Sequence, residues 1–136
     1  MVVGAGVSFG ATGEARASWR GLLEHGVETL RALGIWKDEK ANANLILIRD
    51  AFTSAFELDE VLGRAESIAK ALGAPDGRRY ANWLDEAIGS LKAETGRTAT
   101  LDAIKELEQA GALILTTNYD DLLGDAIGLD LSLIHI

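Results

Sequence analysis

Cysteine is absent from the 136 residues, so disulfides and thiolate metal sites are excluded and an intracellular, cytoplasmic setting is implied. Proline occurs once, inside the turn Ala74-Pro75-Asp76-Gly77, and histidine only at His25 and His135. Lys and Arg number 13 against 21 Asp and Glu, a net charge of −8, which argues against nonspecific nucleic-acid binding. It leaves open an anionic ligand held by backbone N–H groups. No apolar run approaches the roughly 18 residues of a membrane span. The small, apolar stretch Met1–Gly13 has no basic segment before it, so it does not read as a signal peptide. What is present is an ordinary globular balance, 48% hydrophobic and 25% charged, enough for one domain with a real core.

Val2 and Val3 lead into Gly4-Ala5-Gly6-Val7-Ser8-Phe9-Gly10-Ala11-Thr12-Gly13. A β-branched pair before a glycine-dense stretch predicts a strand entering a phosphate-cradling loop. The spacing Gly4-x-Gly6-x-x-x-Gly10 departs by one residue from the dinucleotide fingerprint, and a tight strand-to-helix connection is the plainer reading.

Helical spacing dominates the middle of the chain. Trp19, Leu22, Leu23, Val27, Leu30 and Leu33 predict a helix over residues 17–33, with Ser18 as N-cap, Gly34 as stop and Gly26 as a weak point. His25 falls among its polar positions and reads as solvated. Leu45-Ile46-Leu47-Ile48 could be a strand with Asp50 as a ribose-binding acid, but the series through Phe52, Ala55, Phe56 and Leu58 predicts a helix. Further helices are predicted over residues 57–72, over the stripe from Tyr80 through Trp83 to Leu91, and from Thr98 or Thr100 to Gly111 with Leu101, Ile104, Leu107 and Ala110 inward.

Ala112–Leu115 then reads as a fully buried parallel strand. It delivers Thr116-Thr117-Asn118-Tyr119-Asp120-Asp121 to the carboxyl edge of a sheet, and residues 121–127 complete a strand–turn–helix unit. Such a polar cluster beside a core strand is costly unless it binds something. The alternative is that the threonines end the strand while Asp120 or Asp121 caps the next helix.

Taken together, Gly4-Ala5-Gly6-Val7-Ser8, Ala17-Ser18-Trp19 with Leu22-Leu23, and Thr116-Thr117-Asn118-Tyr119-Asp120-Asp121-Leu122-Leu123 resemble the sirtuin-like family, in particular its bacterial NAD-consuming branch. The resemblance implies an α/β fold: a Rossmann-like parallel sheet, incomplete here, with a helical insertion (about residues 17–110) between the first strand and the Asn118 strand. It implies NAD as substrate, no metal, and cofactor contacts from Gly4, Ala5, Gly6, Val7, Ser8, Thr12, Thr117 and Asn118. Asn118 and Asp120 would serve catalysis. Family members cleave the nicotinamide–ribose bond, and in the antiphage-defence branch water takes the ADP-ribosyl group. The alternatives are a binding-only sensor module for NAD or an ADP-ribose derivative, and a protein deacylase. The missing zinc cysteines and the run Ala15-Arg16-Ala17-Ser18-Trp19, where deacylases carry proline-aspartate-phenylalanine-arginine, favour the hydrolase branch.

Leu131-Ser132-Leu133-Ile134-His135-Ile136 looks like the in-frame translation of a transposon-end sequencing adapter, the alternative from its apolar alternation being a short C-terminal strand, and His135 is given no catalytic role. The expectation is therefore a partial domain over residues 1–130. The family's catalytic histidine, a regulatory domain and any homo-oligomer contacts would lie outside it, leaving the fragment itself inactive.

Overall fold

In a computed structural model of the chain, whose described residues are 1–53, 57–116 and 120–128, two compact units form. One contains Met1–Ser18 and the chain from Ile88 onward; the other is Trp19–Ala87. The secondary structure is α/β in its coarsest sense, mostly helical with a small parallel sheet.

The first unit is built on strands β1 (Val2–Val3) and β2 (Leu115–Thr116), paired in parallel with Val2 opposite Leu115 and Val3 opposite Thr116. Helices α1 (Ala5–Thr12), α6 (Ala99–Gln109) and α7 (Leu122–Ile127) pack together. Their core is Val3, Ala11, Leu101, Ile104 and Leu123, with Val7, Ile114, Ala126 and Ile127 partly buried around it. Alternation along the strands leaves Val2 (68% exposed), Leu113 (73%) and Leu115 (54%) outward. The expected fully buried strand over Ala112–Leu115 is thus corrected to a shorter one, Leu115–Thr116, without burial on its second face. Parallel strands become continuous apolar runs inside a protein only where both faces are covered. Leu107, expected inward, is exposed on α6. A second small cluster joins Ala17, at the end of the 3-10 turn Ala15–Ala17, to Leu91, Leu122 and the partly buried Ile88.

The second unit is all helix: α2 (Trp19–Ala32), α3 (Asp38–Thr53), α4 (Leu58–Leu72) and α5 (Arg78–Leu84), the last continuing into a π-turn at Asp85–Gly89. Leu23, Val27, Leu30, Ile48, Ile68 and Leu72 are buried, matching the 3.6-residue periodicity. Trp19 and Leu33, at the ends of the expected stripe, stay exposed. The Leu45–Ile48 run is helical: Leu45 and Ile48 face inward while Ile46 and Leu47 face out.

Gly26, a weak point by helix propensity, is buried on α2 where Ile68 and Trp83 close in. His25 is not the solvated residue expected. It is partly buried, and its Nδ1 accepts the indole N–H of Trp83 at 3.1 Å. No helix among the described residues is long and apolar enough to cross a membrane.

Candidate functional site

The strand β1 hands directly to α1 through one residue. Gly4 is extended (φ −118°, ψ 178°), and the helix begins at Ala5. The expected glycine-rich loop is therefore corrected: Gly6 and Gly10 are helical, and Gly4, Gly6 and Gly10 are all absent from the positive-φ glycines. Gly4 brings no side-chain cap to this helix, and among the described residues its first turn holds no acid; the N–H of Val7 goes back to the Gly4 carbonyl at 3.1 Å. Gly4 and Gly6 are exposed, Ala5 and Val7 partly buried. An uncapped helix start at the carboxyl end of a parallel strand offers N–H donors and the positive end of a helix dipole.

The inward face of α1 carries Ser8, Ala11 and Thr12, one helical stripe. Ser8 is 1% exposed, and its hydroxyl donates to Oδ2 of Asp120 at 2.6 Å. The other carboxylate oxygen, Oδ1, accepts the N–H of Leu122 at 3.2 Å, the first residue of α7. Asp121 stands at the N-cap of α7 without a side-chain cap bond, while Asp120, one residue earlier, bonds the first N–H of that helix and also a helix residue 112 positions away in sequence.

Thr12 lies elsewhere. It stands eight residues past Gly4, about 12 Å along the helix axis. Its hydroxyl donates to the Ser8 carbonyl at 2.9 Å and accepts the Glu14 N–H at 3.1 Å, so both functions serve the end of α1. Thr117 and Asn118, expected at the cofactor and the reacting bond, lie outside the described residues. Their flanks do not: Thr116 is in register with Val3, and Asp120 is bonded to Ser8.

Sequence reasoning placed Ser8 among the ligand contacts and did not foresee its bond to Asp120. The available signal was the spacing Ser8, Ala11, Thr12, which turns the serine to the core side of α1. A separate cavity of about 350 Å³ in the same unit is lined by Lys92, Thr98, Asp102, Leu122 and Asp125 among others, and includes none of the expected site residues. Among the described residues no three His, Cys, Asp or Glu side chains are grouped to hold a metal ion. Comparison with protein-family models, with curated proteins and with solved structures found no match for this chain.

Proposed function

We propose that the chain is the NAD-binding part of a sirtuin-like NAD hydrolase of the bacterial defence branch, cleaving the nicotinamide–ribose bond to give nicotinamide and ADP-ribose. Its two parallel strands would belong to a Rossmann-like sheet. The observation that carries the reading is the juxtaposition at one sheet edge. The uncapped start of α1 follows β1, Asp120 follows β2, and a Ser8–Asp120 hydrogen bond ties the two connections together. Open α/β sheets bind ligands outside the carboxyl ends of their strands.

The chemistry suits the residue types. Loss of nicotinamide passes through an oxocarbenium-like state, which needs positioning and opposing charge more than a strong nucleophile. The amide of Asn118 can orient a water or hold a ribose hydroxyl, and the Asp120 carboxylate can oppose positive charge. Gly4, Ala5, Gly6 and Val7 would meet the pyrophosphate through backbone N–H groups.

Both oxygens of Asp120 already accept hydrogen bonds, which favours a second reading: a module that holds NAD or ADP-ribose without cleaving it. Titration calorimetry of this chain with NAD, run beside a chromatographic assay for nicotinamide release by the longer hydrolase of which it would be the NAD-binding part, separates the two. Binding with release that disappears in Asn118→Ala supports the hydrolase; binding without release selects the module; no binding of NAD or ADP-ribose sinks both.

A further inference from the structure

Independently of the NAD reading, we infer that the outer face of α3 is an interface between two copies of this chain. The two α3 helices pair antiparallel, with a two-fold axis at the level of Leu45.

The run Leu45-Ile46-Leu47-Ile48 makes α3 apolar on two sides. Leu45 and Ile48 are buried within the helical unit, whereas Ile46 is 58% exposed and Leu47 38%. A helix that is apolar all round belongs in an interior, so the outer side calls for a cover. The residues around it specify which. Lys40, Ala43, Leu47 and Asp50 are all exposed and stand three, four and three positions apart along α3. That is the spacing of a coiled-coil seam. Its ends carry opposite charges, and its middle sets a small residue beside a large one.

Positions 40 and 50 share a midpoint with positions 43 and 47, and it is residue 45. A second copy laid antiparallel about that point sets Lys40 against Asp50 of the second copy and Ala43 against its Leu47. Two-fold symmetry makes each contact twice. Ile46, one residue from the midpoint, meets its own counterpart across the axis. A parallel pairing would instead set like charge against like at both ends of the seam.

The surface of α3 has room for this register. A groove of about 570 Å³ is lined by Ile35, Lys37, Glu39, Lys40 and Ala43. Ala43 stops at Cβ, so a leucine of the second copy fits there as a knob in a hole, with Ile35 as an apolar wall. Lys40 holds its ammonium over the Trp36 ring, 4.7 Å from the centroid. Among the described residues Lys40 forms no ion pair, so its charge is available to the second copy's Asp50. One seam along a 16-residue helix is smaller than a standard protein interface, so the dimer is weak and reversible.

The test is sedimentation equilibrium of the full chain at low salt, over a concentration series reaching about 1 mM, where a dimer with a dissociation constant of that size is half formed. Leu113→Lys and Leu115→Thr are present throughout, so that the exposed strand residues do not contribute. The expected result is a monomer–dimer equilibrium that Leu47→Glu weakens by about tenfold or more. Lys40→Glu and Asp50→Lys each turn two attractions into two repulsions and should weaken it about fivefold. The chain carrying both exchanges should recover to within about twofold of the starting affinity, because the swapped charges again meet opposite partners. Lys40 and Asp50 are exposed, so these exchanges spare the helical core, and an unchanged circular dichroism spectrum checks this. A chain that stays monomeric over the whole series overturns the inference, as does a dimer indifferent to Leu47→Glu. Losses that add in the doubly exchanged chain, with no recovery, overturn it as well, since only the antiparallel register predicts the rescue.

Discussion

Trp83 and His25 are joined by a hydrogen bond that ties α5 to α2: the indole N–H donates to the imidazole Nδ1 at 3.1 Å. Trp83 is buried and its ring also lies 5.8 Å from that of Tyr80, so it packs and bonds at once. Trp83→Phe keeps an aromatic body but removes the donor and leaves part of the space empty. A loss of about 2 kcal/mol follows, from one neutral hydrogen bond and a partial cavity. Chemical denaturation of the two proteins measures it. A change under about 0.5 kcal/mol would show that the bond contributes nothing net.

A contrasting pair of glycine substitutions tests the packing around the same tryptophan. A Cβ added at Gly26 would stand 2.7 Å from Cγ2 of Ile68 and 3.1 Å from Cζ2 of Trp83. Gly63, on the exposed side of α4, has nothing within 4 Å of the same position. Helix propensity alone favours alanine at both sites by about 1 kcal/mol. Overpacking should reverse that at Gly26, giving a net loss of about 1–2 kcal/mol. Gly63→Ala should raise the melting temperature and Gly26→Ala should lower it; equal shifts would contradict the close approach.

These residues mark what the sequence made legible. Apolar periodicity located the helices of the second unit, because burying a stripe is what makes them stable, and Leu23, Val27, Leu30, Ile68 and Leu72 carry that signal directly. It could not show why Gly26 is small or what His25 bonds. Those answers depend on Trp83, nearly sixty residues further along the chain. The glycine-dense start misled for a related reason. Gly6 and Gly10 read as loop formers, yet α1 packs through Ser8 and Ala11, and tertiary burial overrides local propensity. The polar edge after β2 was legible as a cluster. The role of Asp120 within it was not, since its deciding partner is Ser8 on α1.

Gly13 ends α1 with φ 67°, and its N–H bonds the Phe9 carbonyl at 2.8 Å. An added Cβ there would also come within 2.9 Å of the Arg97 guanidinium carbon. Gly13→Ala is therefore opposed mainly by backbone conformation, with a smaller contact term because the half-exposed Arg97 guanidinium can swing aside, and should cost about 1–2 kcal/mol. Arg97 pairs with Glu94 at 2.6 Å, but both side chains are more than half exposed, so the ion pair itself adds little. A double-mutant cycle with Arg97→Ala separates the terms. The contact part should disappear in the Arg97→Ala background while the conformational part remains. Full additivity would assign the whole cost to φ.

Val2 and Leu115 project from the face of the β1–β2 pair opposite the Val3–Leu123 core, and Leu113, two residues before β2, is exposed as well. Exposed apolar strand surface of this kind promotes association between chains. Replacing Leu113 with Lys and Leu115 with Thr should therefore reduce self-association of this chain, measured by sedimentation velocity over a concentration series. Because neither side chain contributes to the buried core, the melting temperature of the double variant should stay within a few degrees of the original. A large fall in melting temperature would mean that these leucines are covered in solution. An unchanged sedimentation profile would move the source of any association to another surface.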